Sequence, residues 1–166
     1  MERKYCQECG SELVEKYLEN EGMIPFCPEC GQYRFPMYNV AVSMIVVNRK
    51  NNKILLIRQY GKPFFILVAG YVSRTESLEH AAAREIREET GMTVSSLTFN
   101  RTQFFEPSNT LMCNFTAFVN DDSELSTNEE IDSYRWFTPD EARENILQNS
   151  LASYFLNAYL DESTNL

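Results

Sequence analysis

The sequence predicts a mixed α+β domain preceded by a small cysteine-rich module, and three observations support this. Four of the five cysteines fall in two close pairs within the first thirty residues. The remainder mixes β-branched runs with amphipathic segments, without regular βαβ alternation. The chain has 166 residues, 43% of them hydrophobic, which suffices for one domain and a module. We therefore expect a module over residues 1–35 and a larger domain over 36–166.

Charge and composition exclude several classes of protein. The chain carries 24 acidic against 15 basic residues, a net charge of -9, which argues against extended nucleic-acid binding. Because His80 is the only histidine, a site built from several histidines is impossible within one chain. The apolar run 40–47 is too short to cross a bilayer, so no membrane association is expected. The N-terminus shows no secretory pattern, and we expect a cytoplasmic protein.

The cysteine pairs have the spacing of a structural zinc site. Each pair has the form Cys-x-x-Cys followed by glycine, and seventeen residues separate the two pairs. The predicted zinc ligands are Cys6, Cys9, Cys27 and Cys30. Two disulfides are disfavoured in a reducing compartment, and a redox dithiol would need one pair only. The fifth cysteine, Cys113, lies in a strand-like run and is interpreted as a buried thiol.

The predicted elements follow from periodicity and turn residues. A hairpin with its bend near 19–22 lies between the cysteine pairs, which makes a zinc ribbon. Strands of the larger domain are predicted over 40–47, 53–57, 64–69, 92–99, 111–119 and 133–137. Helices are predicted over 77–90, from the cap Thr138, and over 150–160.

The helix over 77–90 carries carboxylates on its apolar face. Leu78, Ala82 and Ile86 form an apolar stripe, each four residues beyond the last. Glu85 and Glu89 project about 20° from Leu78, inside that stripe, and Glu88 lies about 60° from Glu85. Inward carboxylates are costly unless they are paired or bind metal, so they predict a site for Mg²⁺ or Mn²⁺. The alternative is a set of surface residues that pair with nearby arginines.

A longer pattern surrounds this helix. Gly70 is followed by five residues, Glu76, seven residues, and then the run from Arg84 to Met92, Arg-Glu-Ile-Arg-Glu-Glu-Thr-Gly-Met. This 23-residue segment resembles the Nudix hydrolase signature at every specified position. Thr75 stands where the family commonly has glycine. The resemblance implies an α/β/α sandwich with a mixed sheet, which holds divalent cations against the pyrophosphate of a nucleoside diphosphate derivative.

The resemblance also implies roles for individual residues. Glu85 and Glu89 would be metal ligands, Glu88 a further ligand or the base for water, and Arg84 would orient Glu85 or Glu88. The carbonyl of Ala69 would be an extra ligand. Glu130, six residues before Trp136, matches an acidic residue that supports the metal site in the family. Which glutamate is the base stays open, because the carboxylates titrate as a coupled set.

The ribbon followed by this signature is similar to the NADH pyrophosphatase branch of the family. Two local matches are Phe35-Pro36 after the ribbon and Ala69-Gly70-Tyr71 before the signature. The stretch from Thr102 to Met112 corresponds to the substrate array of that branch. Gln103 and the closing Thr-Leu-Met match it, whereas Phe104 and Phe105 replace its Pro and Trp. Aromatic rings such as Tyr71 and Phe105 could stack on a nicotinamide or adenine ring, or they could simply pack in the core. The candidate substrate contacts are Tyr71, Gln103, Phe105 and Glu76. The resemblance further implies a homodimer.

Three functions remain open at this point. The first is hydrolysis of NAD(H) to nicotinamide mononucleotide and AMP. The second is hydrolysis of ADP-ribose, nucleoside triphosphates or capped RNA 5′ ends. The third, without catalysis, is a nucleotide-binding sensor or adaptor; such a protein would be expected to lose the signature carboxylates, which this chain keeps.

Overall fold

The N-terminal unit is a three-stranded antiparallel sheet around the two cysteine turns. The computed structural model describes residues 4–163, which form two compact units, one that ends at Tyr38 and another that begins at Asn39. The strands are β1 (Val14–Leu18), β2 (Gly22–Cys27) and β3 (Gln32–Tyr33), in the order β1-β2-β3. The predicted hairpin is confirmed, and β3 adds a strand that periodicity did not indicate.

The second unit is built on a mixed six-stranded sheet. Its strands are β4 (Asn39–Asn48), β5 (Lys53–Gln59), β6 (Val68–Tyr71), β7 (Ser96–Phe105), β8 (Thr110–Val119) and β9 (Ile131–Phe137). The order is β7-β8-β4-β5-β9, and β6 pairs with the half of β4 that β5 leaves open. The pair β4 and β8 is parallel, whereas the other pairs are antiparallel. The sheet is therefore mixed, as predicted.

Helices cover both faces of this sheet. They are α1 (Leu78–Thr90), α2 (Pro139–Asn145) and α3 (Leu151–Ser163). Because strand side chains alternate between faces, Val42 and Met44 of β4 differ from Ile45 in the core that they join. The α1 core contains Val42, Met44, Val46, Ala81, Ala82 and Ile86. The α2/α3 core contains Ile45, Val47, Ala142, Ile146, Phe155 and Leu156. This arrangement is an α/β/α sandwich.

Local chemistry accounts for the helix ends. The Ser77 side chain accepts a hydrogen bond from the His80 backbone N–H at 3.2 Å, and Gly91 ends α1 in the left-handed conformation with φ 70°. Thr138 and Glu141 form a reciprocal capping box at the start of α2. The predicted cap at Thr138 and the predicted end of α1 at Thr90 are confirmed.

Two strand predictions were wrong in their bounds. The predicted strand 64–69 is realised as β6, Val68–Tyr71, because Ile66 bonds Ile57 of β5 before the chain passes to β4. The predicted strand 92–99 is realised as β7, Ser96–Phe105. Met92 is an apolar loop residue that is buried in the α1 core rather than the start of a strand. Pairing with β8 instead carries the strand onward to Phe105, across an irregularity between Phe99 and Arg101.

Within residues 4–163, none of the helices has the length and apolar character that a membrane crossing requires.

The loop before α1 contains a strained residue. Thr75 has φ 69°, a left-handed conformation that a β-branched residue adopts at a cost of about 1 kcal/mol or more. Glycine tolerates this conformation, so Thr75→Gly should raise the free energy of unfolding by about 1 kcal/mol in urea titrations. Asn52→Gly is the control, since Asn52 has φ 56° and asparagine already tolerates it. An equal gain in both variants would contradict strain at Thr75.

Candidate active site and metal centre

The four cysteines of the first unit converge on one point. Their sulfurs all lie within 4.8 Å of one another, with Cys9 and Cys27 at 3.5 Å and Cys6 and Cys30 at 3.9 Å. Each pair of cysteines lies in a turn that is closed by a backbone hydrogen bond. The Gly10 and Gly31 N–H groups donate to the Cys6 and Cys27 carbonyls, respectively, at 2.9 Å. Both glycines have positive φ, which explains their position after each pair.

The sulfur spacing fits a tetrahedral metal site. Four thiolates about 2.3 Å from a zinc ion would be about 3.8 Å apart, close to the separations observed. A disulfide requires about 2.05 Å, and all five cysteines are free thiols. The backbone N–H groups of Cys9 and Glu8 lower the pKa of Cys6 to about 6, whereas hydrogen bonding with the neighbouring Cys9 and Cys27 sulfurs raises the pKa of Cys30 to about 12. The arrangement is that of a four-coordinate metal site in which the protein supplies all four ligands.

Arg34 lies beside the cysteine cluster, a position that the sequence analysis did not predict. Its guanidinium donates to Glu8 at 2.7 Å and to Gln32 at 2.8 Å. It also interacts with the Cys6 sulfur, and that interaction raises the pKa of Arg34 above its usual range. A cation here would offset the negative charge that these sulfurs carry when they are ionised. The signal available in the sequence was a lone arginine four residues beyond the second pair.

In the second unit, Glu89 of α1 is a buried carboxylate. Its exposed fraction is 4%, and the Gln59 side-chain amide donates to Glu89 Oε2 at 3.0 Å. Burial raises the pKa of Glu89 to about 8, and the charges of Glu85 and Glu130 contribute to that rise. A bound divalent cation would stabilise the charged form of a carboxylate in this buried position.

Glu85 lies against the backbone of β6. A Cβ added to Gly70 would lie 2.0 Å from Glu85 Cδ, so only glycine leaves room for this carboxylate. Gly70 pairs with Val42 of β4, which belongs to the α1 core, and Ala69 precedes it in β6. The glycine that opens the 23-residue segment therefore has a steric reason.

Arg84 binds three glutamates at once. It donates to Glu76 at 2.8 and 2.9 Å, to Glu85 at 2.7 Å and to Glu88 at 2.9 Å. It also donates to the Tyr71 carbonyl at 3.1 Å. The hydrogen bonds from Arg84 and from the Ser73 backbone lower the pKa of Glu76 to about 2. The alternative to metal binding, in which glutamates pair with a nearby arginine, is thus realised for Glu85 and Glu88. Glu89 instead is buried and bonds Gln59.

Glu130 belongs to the same charged region. It precedes β9 and accepts a hydrogen bond from the Tyr60 hydroxyl at 2.8 Å. Its charge contributes to the raised pKa of Glu89. Among residues 4–163, no three carboxylates bring one oxygen each within 4.8 Å, since the cysteines alone form such a group. Glu85 and Glu88 are instead bound by Arg84.

The aromatic residues of the predicted substrate array are exposed but divided between the sheet faces. Phe104 pairs with Leu111, which packs on the α1 core, and so shares the face of the signature helix. Gln103 pairs with Met112, which packs on the α2/α3 core, and Phe105 alternates to that same face. Tyr71, 58% exposed, pairs with Ala41 on that face too. The backbone carbonyl of Tyr71 accepts a hydrogen bond from Arg84, which in turn binds the glutamates.

Comparisons with known proteins agree with this architecture. The sequence profile of the NUDIX domain matches residues 37–157. The NAD-capped RNA hydrolase NudC of Pseudomonas aeruginosa is 28% identical over 159 residues, which are 95% of this chain and 55% of that protein. NudC of Mycobacterium tuberculosis is 38% identical over 119 residues, 70% of this chain and 38% of the relative. The chain thus spans about half the length, or less, of these curated relatives.

A solved structure resembles the fold over nearly its whole extent. The NUDIX hydrolase from Nitrosomonas europaea superimposes with a TM-score of 0.66 at 22% identity. The superposition covers 98% of this chain and 93% of that one.

The contact between Gly70 and Glu85 yields a prediction. In Gly70→Ala the new methyl group must push the Glu85 carboxylate aside, because the flexible side chain yields before the backbone. We expect the free energy of unfolding to change by less than about 1 kcal/mol, whereas affinity for a divalent cation, titrated with Mn²⁺, should fall about 10-fold or more. Unchanged Mn²⁺ affinity would contradict a role for Glu85 as a ligand.

Proposed function

The chain belongs to the NUDIX domain family, and on that premise we propose that it is a divalent-cation-dependent pyrophosphohydrolase. The observation that carries the proposal is the buried Glu89 on the inward face of α1, beside Glu85 and within reach of the charge of Glu130. A surface helix would not bury a carboxylate there without a positive partner.

The residues that would hold the cation fit the family's chemistry. Oxygen ligands from Glu85, Glu88, Glu89, Glu130 and the Ala69 carbonyl suit a hard ion such as Mg²⁺ or Mn²⁺. When bound, such an ion neutralises the charge of a pyrophosphate and acidifies a water molecule. Arg84 orients Glu85 and Glu88 through its two ion pairs. One of the glutamates accepts the proton from the attacking water.

The substrate that we propose is NAD(H). Addition of water across its pyrophosphate bond gives nicotinamide mononucleotide and AMP. The names of the relatives, NAD-capped RNA hydrolases, support a substrate with this linkage. Phe104 is exposed on the face of the signature helix and offers a surface on which a base could stack, with Glu76 as a polar contact. The other predicted contacts, Tyr71, Gln103 and Phe105, lie on the opposite face of the sheet.

A second candidate is the NAD-capped 5′ end of an RNA, favoured by the names of those relatives. The net charge of -9 disfavours contacts with a long RNA but not with its terminal nucleotide. ADP-ribose and nucleoside triphosphates carry the same phosphoanhydride bond. A sensor or adaptor is the alternative without catalysis.

The first unit supports a structural role for zinc. We propose one Zn²⁺ held by Cys6, Cys9, Cys27 and Cys30, because a unit of this size buries little apolar surface and needs the metal to fold. Reduced thiols suit the cytoplasm, where we propose that the protein acts. We also propose a homodimer, on the likeness to the NADH pyrophosphatase branch.

Product analysis tests the activity. The protein with Mg²⁺ or Mn²⁺ should cleave at least one of NADH, NAD⁺, ADP-ribose, NAD-capped RNA or a nucleoside triphosphate, with products identified by chromatography. Glu89→Gln should reduce turnover at least about 100-fold because it removes a charged ligand. Glu79→Gln, on the exposed side of α1, is the matched control and should keep its activity. Failure to cleave any of these substrates would contradict the proposed pyrophosphohydrolase activity.

Elemental analysis tests the cysteine cluster. We expect one zinc per chain. Cys27→Ser should lose both the zinc and the fold of the first unit, because three cysteines cannot complete the four-coordinate site. Cys113→Ser is the control, since Cys113 lies in β8 outside the cluster. Full zinc content in Cys27→Ser would contradict the ligand assignment.

A further inference from the structure

The end of β5 presents two hydrogen-bond donors to two carboxylates of the candidate site. Gln59 and Tyr60 are adjacent in the chain, and they bond Glu89 and Glu130 respectively. Neither residue belongs to the 23-residue signature, and neither stands out by its sequence pattern. We propose that Gln59 and Tyr60 are positioning residues, which orient Glu89 and Glu130 toward the cation; this inference rests on the proposed function.

The contact of Gln59 is buried and directional. Gln59 is 9% exposed and Glu89 is 4% exposed, so water competes little for their hydrogen bond. The amide of Gln59 occupies Oε2 of Glu89 at 3.0 Å. This bond leaves Oε1 of Glu89 as the oxygen that would bind a metal ion. A hydrogen bond to one oxygen of a ligating carboxylate fixes its rotation, and it is the usual means by which proteins orient such ligands.

The contact of Tyr60 is made from the surface. Tyr60 is 68% exposed, so apolar packing does not account for its position. Its hydroxyl donates to Glu130 Oε2 at 2.8 Å, and this interaction raises the pKa of Tyr60. Glu130 lies in the loop before β9 and would otherwise have no strand or helix to fix its side chain.

The backbone explains how two successive residues serve one site. In a regular strand, adjacent side chains point to opposite faces. Here the register between β5 and β9 shifts between Arg58 and Gln59, which marks a bulge. The chain then turns, with φ 53° at Tyr60 and 67° at Gly61, and the Lys62 N–H donates to the Gln59 carbonyl at 3.0 Å. Asp132 accepts from the Gly61 N–H at 2.6 Å and fastens this turn to β9.

The turn is an unusual place for tyrosine. Two successive positive φ angles are typical of a type I′ turn, which prefers Asn or Gly at both positions. A bulky residue in that conformation costs about 1 to 3 kcal/mol, and such strain persists where the surrounding structure enforces it. The hydroxyl contact with Glu130 is what tyrosine supplies here that Asn or Gly could not.

Mn²⁺ binding to the full chain separates positioning from stability. The variants are Gln59→Met, which keeps side-chain length without the donor, and Tyr60→Phe, which removes only the hydroxyl. Controls are Gln148→Met, whose amide bonds carbonyls near α2, and Tyr134→Phe on β9. Free Mn²⁺ is measured by electron paramagnetic resonance, and folding by circular dichroism. We expect each test variant to bind Mn²⁺ about 10- to 100-fold more weakly and the controls to match wild type.

A third variant separates the hydroxyl contact of Tyr60 from the strain of its backbone. Asparagine suits the left-handed backbone but lacks the hydroxyl, so Tyr60→Asn should be at least as stable as wild type and still bind Mn²⁺ more weakly. A merely structural role for Tyr60 would move stability and leave the affinity unchanged.

Two results would overturn the inference. One is unchanged Mn²⁺ affinity in folded Gln59→Met or Tyr60→Phe. The other is a wild-type Mn²⁺ affinity that Glu89→Gln does not alter, because no cation would then be held where these residues point. Weakened Mn²⁺ binding in a protein that cleaves no diphosphate would support the positioning roles while the proposed hydrolase activity fails.

Discussion

The burial of glutamate on the inward face of α1 is the constraint on which the rest of the second unit depends. Glu89 is 4% exposed, in a helix whose other buried residues include Ala81, Ala82 and Ile86 of the apolar core. An unpartnered charge in that position would be expelled to solvent or protonated. Around Glu89 the fold places a buried amide from β5, which donates to the carboxylate, and the carboxylates Glu85 and Glu130, whose charges raise its pKa further.

The sandwich makes that arrangement possible. Helix α1 packs on β6 where Gly70 lacks a side chain, so Glu85 approaches the sheet closely. The end of β5 and the loop before β9 then bring Gln59 and Glu130 to the region of Glu89. The first unit also brings ligand atoms together, here the softer sulfurs of four cysteines. Arg34 interacts with the Cys6 sulfur and would offset the charge of these sulfurs when they are ionised.

Sequence patterns predicted the signature helix better than they predicted the strands. The extent of this helix, 77–90, and the inward direction of Glu89 were predicted correctly because helical periodicity acts within a few residues. The bounds of β6 and β7 were wrong because a strand is defined by its partner. Ile66 bonds β5 rather than β4, and Met92 is apolar through burial in a loop. Composition alone does not distinguish these cases.

The sequence by itself determined the cysteine spacing, the signature helix and the family, since each depends on residues whose separation along the chain sets their geometry. Only the tertiary structure decided that Gln59 and Tyr60 meet Glu89 and Glu130, and that Arg34 meets Cys6. Those contacts join residues 28 to 70 positions apart, where no short-range period applies. A register shift and a left-handed turn, neither encoded by a regular pattern, bring the partners of the second unit together.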